Sequence, residues 1–77
     1  MDSRTWVFSD SPEGDYPIQF CGTEEEMEQE GKRLLKRFRA SGFLHPIIVW
    51  TGYAWRKKGK PYCKIDEQGV HVLGAAT

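Results

Sequence analysis

The chain has 77 residues, of which 39% are hydrophobic and 13% aromatic, and its basic and acidic side chains balance to a formal net charge of zero. This length supports one domain, spanning residues 1–77, and the aromatic content favours a folded domain over disorder. Because no apolar run approaches the ~18 residues of a membrane helix and no signal peptide is visible, we expect a cytoplasmic protein with no membrane partner.

The neutral total conceals a separation of charge along the chain. Residues 1–31 contain nine acidic side chains and one basic one, residues 32–64 contain ten basic side chains and no acidic one, and residues 65–77 contain two acidic ones. If the fold keeps these segments apart, the protein has an acidic side and a basic side, which suits charged partners. The alternative is ordinary helix design, with acidic residues at a helix start and basic residues at its end.

Two segments near the N-terminus are predicted strands. Residues 5–9 are rich in β-branched and aromatic side chains, and residues 16–21 alternate apolar positions with others. Pro, Gly and Asp between them favour a turn, so we expect the two strands to pair as a hairpin.

The next segment, 23–41, has the sequence pattern of an amphipathic helix. Thr23 and Glu26 have the spacing of a capping box, and Gly42 suits the residue after the helix, where a left-handed backbone is common. Gly31 falls within the apolar stripe and predicts a close approach to the sheet. The other residues of the stripe are Met27, Leu34, Leu35 and Phe38.

The C-terminal half is predicted to complete the sheet. Residues 46–51 form a continuous apolar run that suits a central strand. Two further predicted strands, 53–57 and 61–66, flank a basic turn. A last short strand is predicted at 70–73, before a frayed tail at 74–77. The order β-β-α-β-β-β predicts the α+β class, with one amphipathic helix packed on an antiparallel sheet of about four to five strands.

Groups that could carry catalysis are scarce. Cys21, His45, Cys63 and His71 are isolated from one another in sequence, without the paired spacing of a zinc site. There is no nucleophile in a G-x-S-x-G turn and no P-loop. We therefore expect free thiols, no metal, no cofactor and no enzymatic activity.

Basic side chains form two groups that are candidates for binding. On a helical wheel, the cations of 23–41 point away from the apolar stripe, which fits a solvated helix face as well as a binding face. The second group lies on the predicted hairpin around 58–60, with aromatic residues among its cations. The candidate binding residues are Lys32, Arg33, Lys36, Arg37, Trp55, Arg56, Lys57, Lys58, Lys60 and Tyr62.

The hairpin group admits three interpretations. Its cations and rings suit phosphate contacts combined with base stacking. They also suit a protein interface, where Trp, Tyr and Arg are frequent anchors. The third interpretation is a charged tip that protects a sheet edge from aggregation. Because four aromatic residues fall within 13 positions, we expect one or two of them to be exposed: Trp50, Tyr53, Trp55 and Tyr62.

In size and layout the chain resembles the small phage-encoded anti-defence proteins, including anti-CRISPR proteins. The resemblance covers roughly residues 16–65 and includes a helix, the apolar run 47–51, the bend at Gly52, the aromatic residues that follow and the basic 58–60 segment. It implies a protein that occludes a nucleic-acid channel on a host complex, and it transfers no individual binding residue.

These observations predict a non-enzymatic binding protein, a phage inhibitor that binds a bacterial defence complex of the CRISPR type in the host cytoplasm. Its partner would be a protein or ribonucleoprotein complex. The alternative is a small DNA- or RNA-binding domain that uses the same basic and aromatic residues.

Overall fold

The chain forms five strands and two helices. A computed structural model describes residues 3–11 and 13–73, so the expectation of a frayed tail at 74–77 lies outside the described residues. The elements are β1 (Arg4–Ser9), β2 (Ile18–Gly22), α1 (Glu24–Ala40), β3 (Ile47–Thr51), α2 (Gly52–Arg56), β4 (Cys63–Asp66) and β5 (Gly69–Val72). The strands form one antiparallel sheet in the order β2-β1-β3-β4-β5. The predicted α+β class, with one long helix on an antiparallel sheet, is confirmed.

The helix α1 begins and ends where local sequence signals place it. The Glu26 amide donates to Thr23 Oγ1 at 3.1 Å, and the Thr23 amide donates to Glu26 Oε1 at 2.8 Å, which completes the capping box. At the other end Gly42 has a φ of 93°, and the Phe43 amide donates to the Phe38 carbonyl at 2.9 Å. This is a Schellman motif, in which a left-handed residue satisfies the last carbonyls of a helix.

The main core lies between α1 and one face of the sheet. Met27, Leu34 and Leu35 are buried as the stripe predicts, whereas Phe38 is only half-buried at its edge. A Cβ on Gly31 would lie 2.2 Å from Ile65 Cδ1, so glycine lets α1 sit this close to β4 with the Ile65 side chain in its present position. The strands contribute Trp6, Phe8, Ile47, Val49, Cys63 and Ile65 to this core.

The prediction that residues 53–57 form a strand is wrong, because the chain turns into α2 directly after β3. Thr51 caps the new helix, since its Oγ1 accepts a hydrogen bond from the Ala54 amide at 3.1 Å. Aromatic residues favour strands on average, but here the capped helix brings the Trp55 ring against the Trp50 ring. The strand predicted at 61–66 begins only at Cys63.

The helix α2 packs on the face of the sheet opposite α1. It covers a smaller apolar cluster of Val7, Ile48 and Trp50, with Ala54 and Trp55 packed against it. These strand residues alternate with those of the main core, and neighbouring residues of a strand point to opposite faces. The protein therefore has three layers, α1, sheet and α2. Within the described residues, neither helix has the length and apolar character to cross a membrane.

Candidate binding surface on the second helix

Two tryptophans form the base of the surface around α2. Trp50, from β3, is 5% exposed, and its ring meets Trp55 edge to face, with centroids 5.1 Å apart and planes at 70°. A Cβ on Gly14 would lie 2.7 Å from the Trp55 ring, so the loop before β2 contacts this ring as well. Trp55 is therefore held in place by its neighbours while part of it stays accessible.

Tyr53 is the exposed aromatic residue of α2. Its side chain is 68% exposed, and the Lys57 ammonium lies 5.6 Å from the centre of its ring. A cation over a ring face is attracted by the electron density of the ring, worth about 0.5–1 kcal/mol at an exposed site. The expectation that one or two of the four aromatic residues are exposed thus fits Tyr53, with Trp55 half-buried and Trp50 in the core.

A cleft of about 460 Å³ opens beside α2. Its walls come from three parts of the chain: Trp50 and Trp55 supply aromatic surface, Lys58, Gly59 and Pro61 form the turn after α2, and Glu13 reaches in from the loop before β2. Two smaller grooves, of about 280 and 310 Å³, continue around the helix past Arg56. The helix therefore stands in a depression that runs around its base.

The turn after α2 is a second Schellman motif, where the sequence predicts a hairpin. The Lys58 amide donates to the Trp55 carbonyl at 3.2 Å, and the Gly59 amide donates to the Ala54 carbonyl at 2.7 Å. Lys58 occupies the left-handed position, with a φ of 55°. Glycine fills the equivalent position of α1. At the end of α2 a lysine adopts this left-handed backbone conformation, which residues with a side chain rarely adopt.

Most of the predicted hairpin residues therefore meet on one surface. We call it the α2 platform, and its cations are all exposed. Tyr53, which the sequence pattern does not single out for binding, is its most exposed ring. The platform consists of Tyr53, Trp55, Arg56, Lys57, Lys58 and Lys60.

Tyr62 does not share this surface. Its ring packs against the main core, 5.4 Å from the Trp6 ring, and its hydroxyl donates to Glu24 Oε2 at 2.6 Å. This hydrogen bond, together with burial, raises the pKa of Tyr62 to about 12. Tyr62 therefore joins the turn after α2 to the start of α1, which is a structural role.

The other predicted binding residues, the cations of α1, lie on the opposite side of the sheet. Lys32, Lys36 and Arg37 are exposed there, and Arg33 pairs with Glu30, which lowers the pKa of that carboxyl. The structure therefore does not bring the two predicted basic groups together.

Arg39, near the end of α1, has a structural explanation. It pairs with Glu67 in the β4–β5 turn, and its Nη1 donates to the carbonyls of Phe43 at 2.9 Å and His45 at 2.8 Å. These bonds fasten the loop that follows α1 to the far end of the sheet.

The cysteines lie far apart. Cys21 is exposed on β2, whereas Cys63 is buried on β4. Three strand spacings separate β2 from β4, about 14 Å, which exceeds the reach of a disulfide. Burial raises the pKa of Cys63 to about 12. Among the described residues, His, Cys, Asp and Glu side chains do not gather in groups of three or more that could hold a metal ion.

Thiol labelling is expected to distinguish the two cysteines. Iodoacetamide should modify the exposed Cys21 in the folded protein and both thiols after denaturation, because Cys63 is 0% exposed and its thiolate is disfavoured. Mass spectrometry under native conditions counts the labels and detects zinc. A mass two hydrogens short, bound zinc, or equal labelling of both thiols in the folded state would contradict this expectation.

Comparison of the chain with protein families, curated proteins and solved structures finds no match. Function therefore has to be argued from the surface itself.

Proposed function

We propose that this chain is a non-enzymatic binding protein whose α2 platform binds an acidic surface of a host protein or ribonucleoprotein complex and occludes the site beneath it. The observation that carries this proposal is the composition of the platform. The half-buried Trp55 and the exposed Lys58 line the main cleft, and the exposed Tyr53 and Arg56 line the smaller groove on the other side of α2. Tyr, Trp and Arg beside a pocket are the residues that dominate binding energy at protein interfaces.

Two features favour a protein partner over direct binding of DNA or RNA. Proteins that bind nucleic acid strands align their cations in a groove that follows the phosphates. Here the cations are divided between opposite sides of the sheet. The cleft is also lined by both Glu13 and Lys58, and this mixed charge suits a peptide, with its amide and carboxylate groups, better than a run of phosphates. Direct nucleic-acid binding is the alternative function, supported by the exposed Tyr53 ring next to Lys57.

The setting we propose is phage inhibition of a bacterial defence complex in the host cytoplasm. Its support is the resemblance in size and layout to the small anti-defence proteins. One part of that resemblance, the basic 58–60 segment, lies in the turn that follows a helix in this chain, not in a hairpin. The binding proposal itself depends on the α2 platform and not on this setting.

A titration with free nucleic acid tests the choice of partner. Labelled single-stranded and duplex DNA and RNA are titrated with the protein from low to physiological salt, and fluorescence anisotropy reports binding. We expect no measurable affinity at physiological salt. Tight binding that weakens by about 0.7–0.9 log units per phosphate contact for each log unit of salt would contradict the proposal and support the alternative. The Lys57→Glu/Lys58→Glu/Lys60→Glu variant is the control that assigns any such binding to the α2 platform.

A further inference from the structure

We propose that the cleft beside α2 takes one aromatic side chain from an acidic peptide segment of the partner, with Lys58 holding a carboxylate next to that anchor. This inference deepens the proposed function and rests on it. It names the chemistry that the α2 platform selects, which is an aromatic residue flanked by Asp or Glu.

The shape and lining of the cleft fit an aromatic anchor. Its volume of about 460 Å³ lies within the range of sites that hold a small ligand, roughly 300–1,000 Å³. The edge-to-face pair of Trp50 and Trp55 and the ring of Pro61 form its apolar walls. Aromatic rings prefer edge-to-face or offset contacts with other rings, so a planar side chain suits these walls.

The charge around the cleft specifies what flanks the anchor. Lys58 lines the cleft, and Arg56, Lys57 and Lys60 are exposed near it. In and around the cleft there are thus four cations and, among the lining residues, one acidic residue, Glu13. The balance is positive, so it favours acidic residues on both sides of an inserted ring and disfavours a basic segment.

The backbone of Lys58 gives an independent reason to assign a role to its side chain. A left-handed backbone costs a residue with a side chain roughly 1–2 kcal/mol, and glycine avoids this cost. The same motif at the end of α1 uses Gly42. A lysine at this position of α2 is less stable than a glycine would be, and Lys58 is also a lining residue of the cleft.

Titration of the ¹⁵N-labelled protein with short peptides tests the proposal by NMR. The probe is the acetylated, amidated pentapeptide Asp-Glu-Phe-Asp-Glu. Two further peptides carry alanine in place of phenylalanine, or lysine at all four acidic positions. We expect the acidic phenylalanine peptide to shift the indole N–H signals of Trp50 and Trp55. Trp6 is the internal control, because its indole N–H is buried on the other face and donates to the Gly22 carbonyl at 3.1 Å.

The two control peptides are expected to show separately what the phenylalanine ring and the acidic residues contribute to binding. Replacing phenylalanine with alanine should lower the affinity at least about tenfold, since burial of the ring is lost. The lysine peptide should produce no shift. Equal shifts from the acidic and the lysine peptides would overturn the proposal. A short oligothymidine that shifts the Trp55 signal and displaces the acidic peptide would overturn it in favour of nucleic acid.

Three variants test the assignment of Lys58. Lys58→Gln should lower the peptide affinity about fivefold, whereas the matched Lys36→Gln change on α1 should leave it unchanged. Lys58→Gly should weaken binding as much as Lys58→Gln while raising the thermal midpoint, because the strained backbone is relieved. Unchanged affinity in both Lys58 variants would show that this lysine takes no part in binding.

Failure of the cleft proposal can be distinguished from failure of the proposed binding function. If no peptide shifts Trp55, but the Lys57→Glu/Lys58→Glu/Lys60→Glu variant still loses its partners in a nuclease-treated lysate, the cleft proposal fails and the binding function stands. If that variant folds and keeps all its partners, the proposed function fails, whatever the peptides do.

Discussion

Replacing Phe8 with alanine is expected to lower the free energy of unfolding by about 3–5 kcal/mol. The ring is 0% exposed on β1, a strand paired on both sides, and its centroid lies 5.9 Å from that of Phe20. It also approaches Gly31 of α1, where an added Cβ would be 3.4 Å from Phe8 Cε1. Neither strand nor helix can readily move to fill the space that the ring leaves, so most of the cavity should persist. Urea denaturation followed by circular dichroism measures the loss.

Leu44→Ala is the matched control for this prediction. It also removes a large apolar side chain, but Leu44 is 80% exposed in the loop between α1 and β3. Substitutions at such positions usually change stability by about 0.5 kcal/mol or less. Equal losses in the two variants would show that the core is not where the fold places it.

Replacing Trp55 with alanine is expected to cost about 2–4 kcal/mol of binding free energy, which is a loss of roughly 30- to 1,000-fold in affinity for the partner. We expect Trp55 to contribute this much because it is held against Trp50 and still borders both the main cleft and its neighbour. Binding is measured by surface plasmon resonance with the purified partner complex.

Two further variants make this prediction specific. Trp55→Phe keeps an apolar ring and should retain much of the affinity if stacking in the cleft matters. Lys60→Ala removes a charge from the rim and should slow association with little effect on dissociation, because exposed charges act mainly on the rate of encounter. If folded Trp55→Ala dissociates from the partner at an unchanged rate, Trp55 is not part of the interface.

The helix α1 and its packing were predictable from the sequence because their signals are local. The capping box joins Thr23 to Glu26, the glycine at 42 marks the end, and the apolar stripe identifies the buried face. Each signal is read within a few residues. The strands β1 and β3 follow similarly from short runs of β-branched and aromatic residues, whereas the sequence also favours a strand at 53–57 that does not form.

The second helix was not predictable in this way. Five residues are too few to show helical periodicity, and Tyr53 and Trp55 favour strands by propensity. The available signals were Thr51, three residues before Ala54, and the Lys58-Gly59 pair that ends the helix. Each is common in other contexts, and the packing of Trp55 against Trp50 that accompanies the helix has no sequence signature.

The position of the candidate site depends on contacts between distant residues. The run Ile47–Trp50 is apolar throughout, so its sequence does not show that Val49 faces α1 while Trp50 faces α2. The pairing of Tyr62 with Glu24, 38 residues away, also has no sequence signature. For this reason the sequence alone predicts Tyr62 to be a binding residue. It also predicts one binding set from two basic groups that lie on opposite sides of the sheet.

The most direct test of the binding function compares two triple charge reversals on the two sides of the sheet. Lys57→Glu/Lys58→Glu/Lys60→Glu alters the α2 platform, and Lys32→Glu/Lys36→Glu/Arg37→Glu makes the same change in charge on α1. Both variants are first shown to fold by circular dichroism. Each is then used, beside the unmodified protein, to capture partners from a nuclease-treated bacterial lysate. We predict that the α2 variant loses the captured complex and the α1 variant keeps it. Retention of every partner by the folded α2 variant would contradict the account.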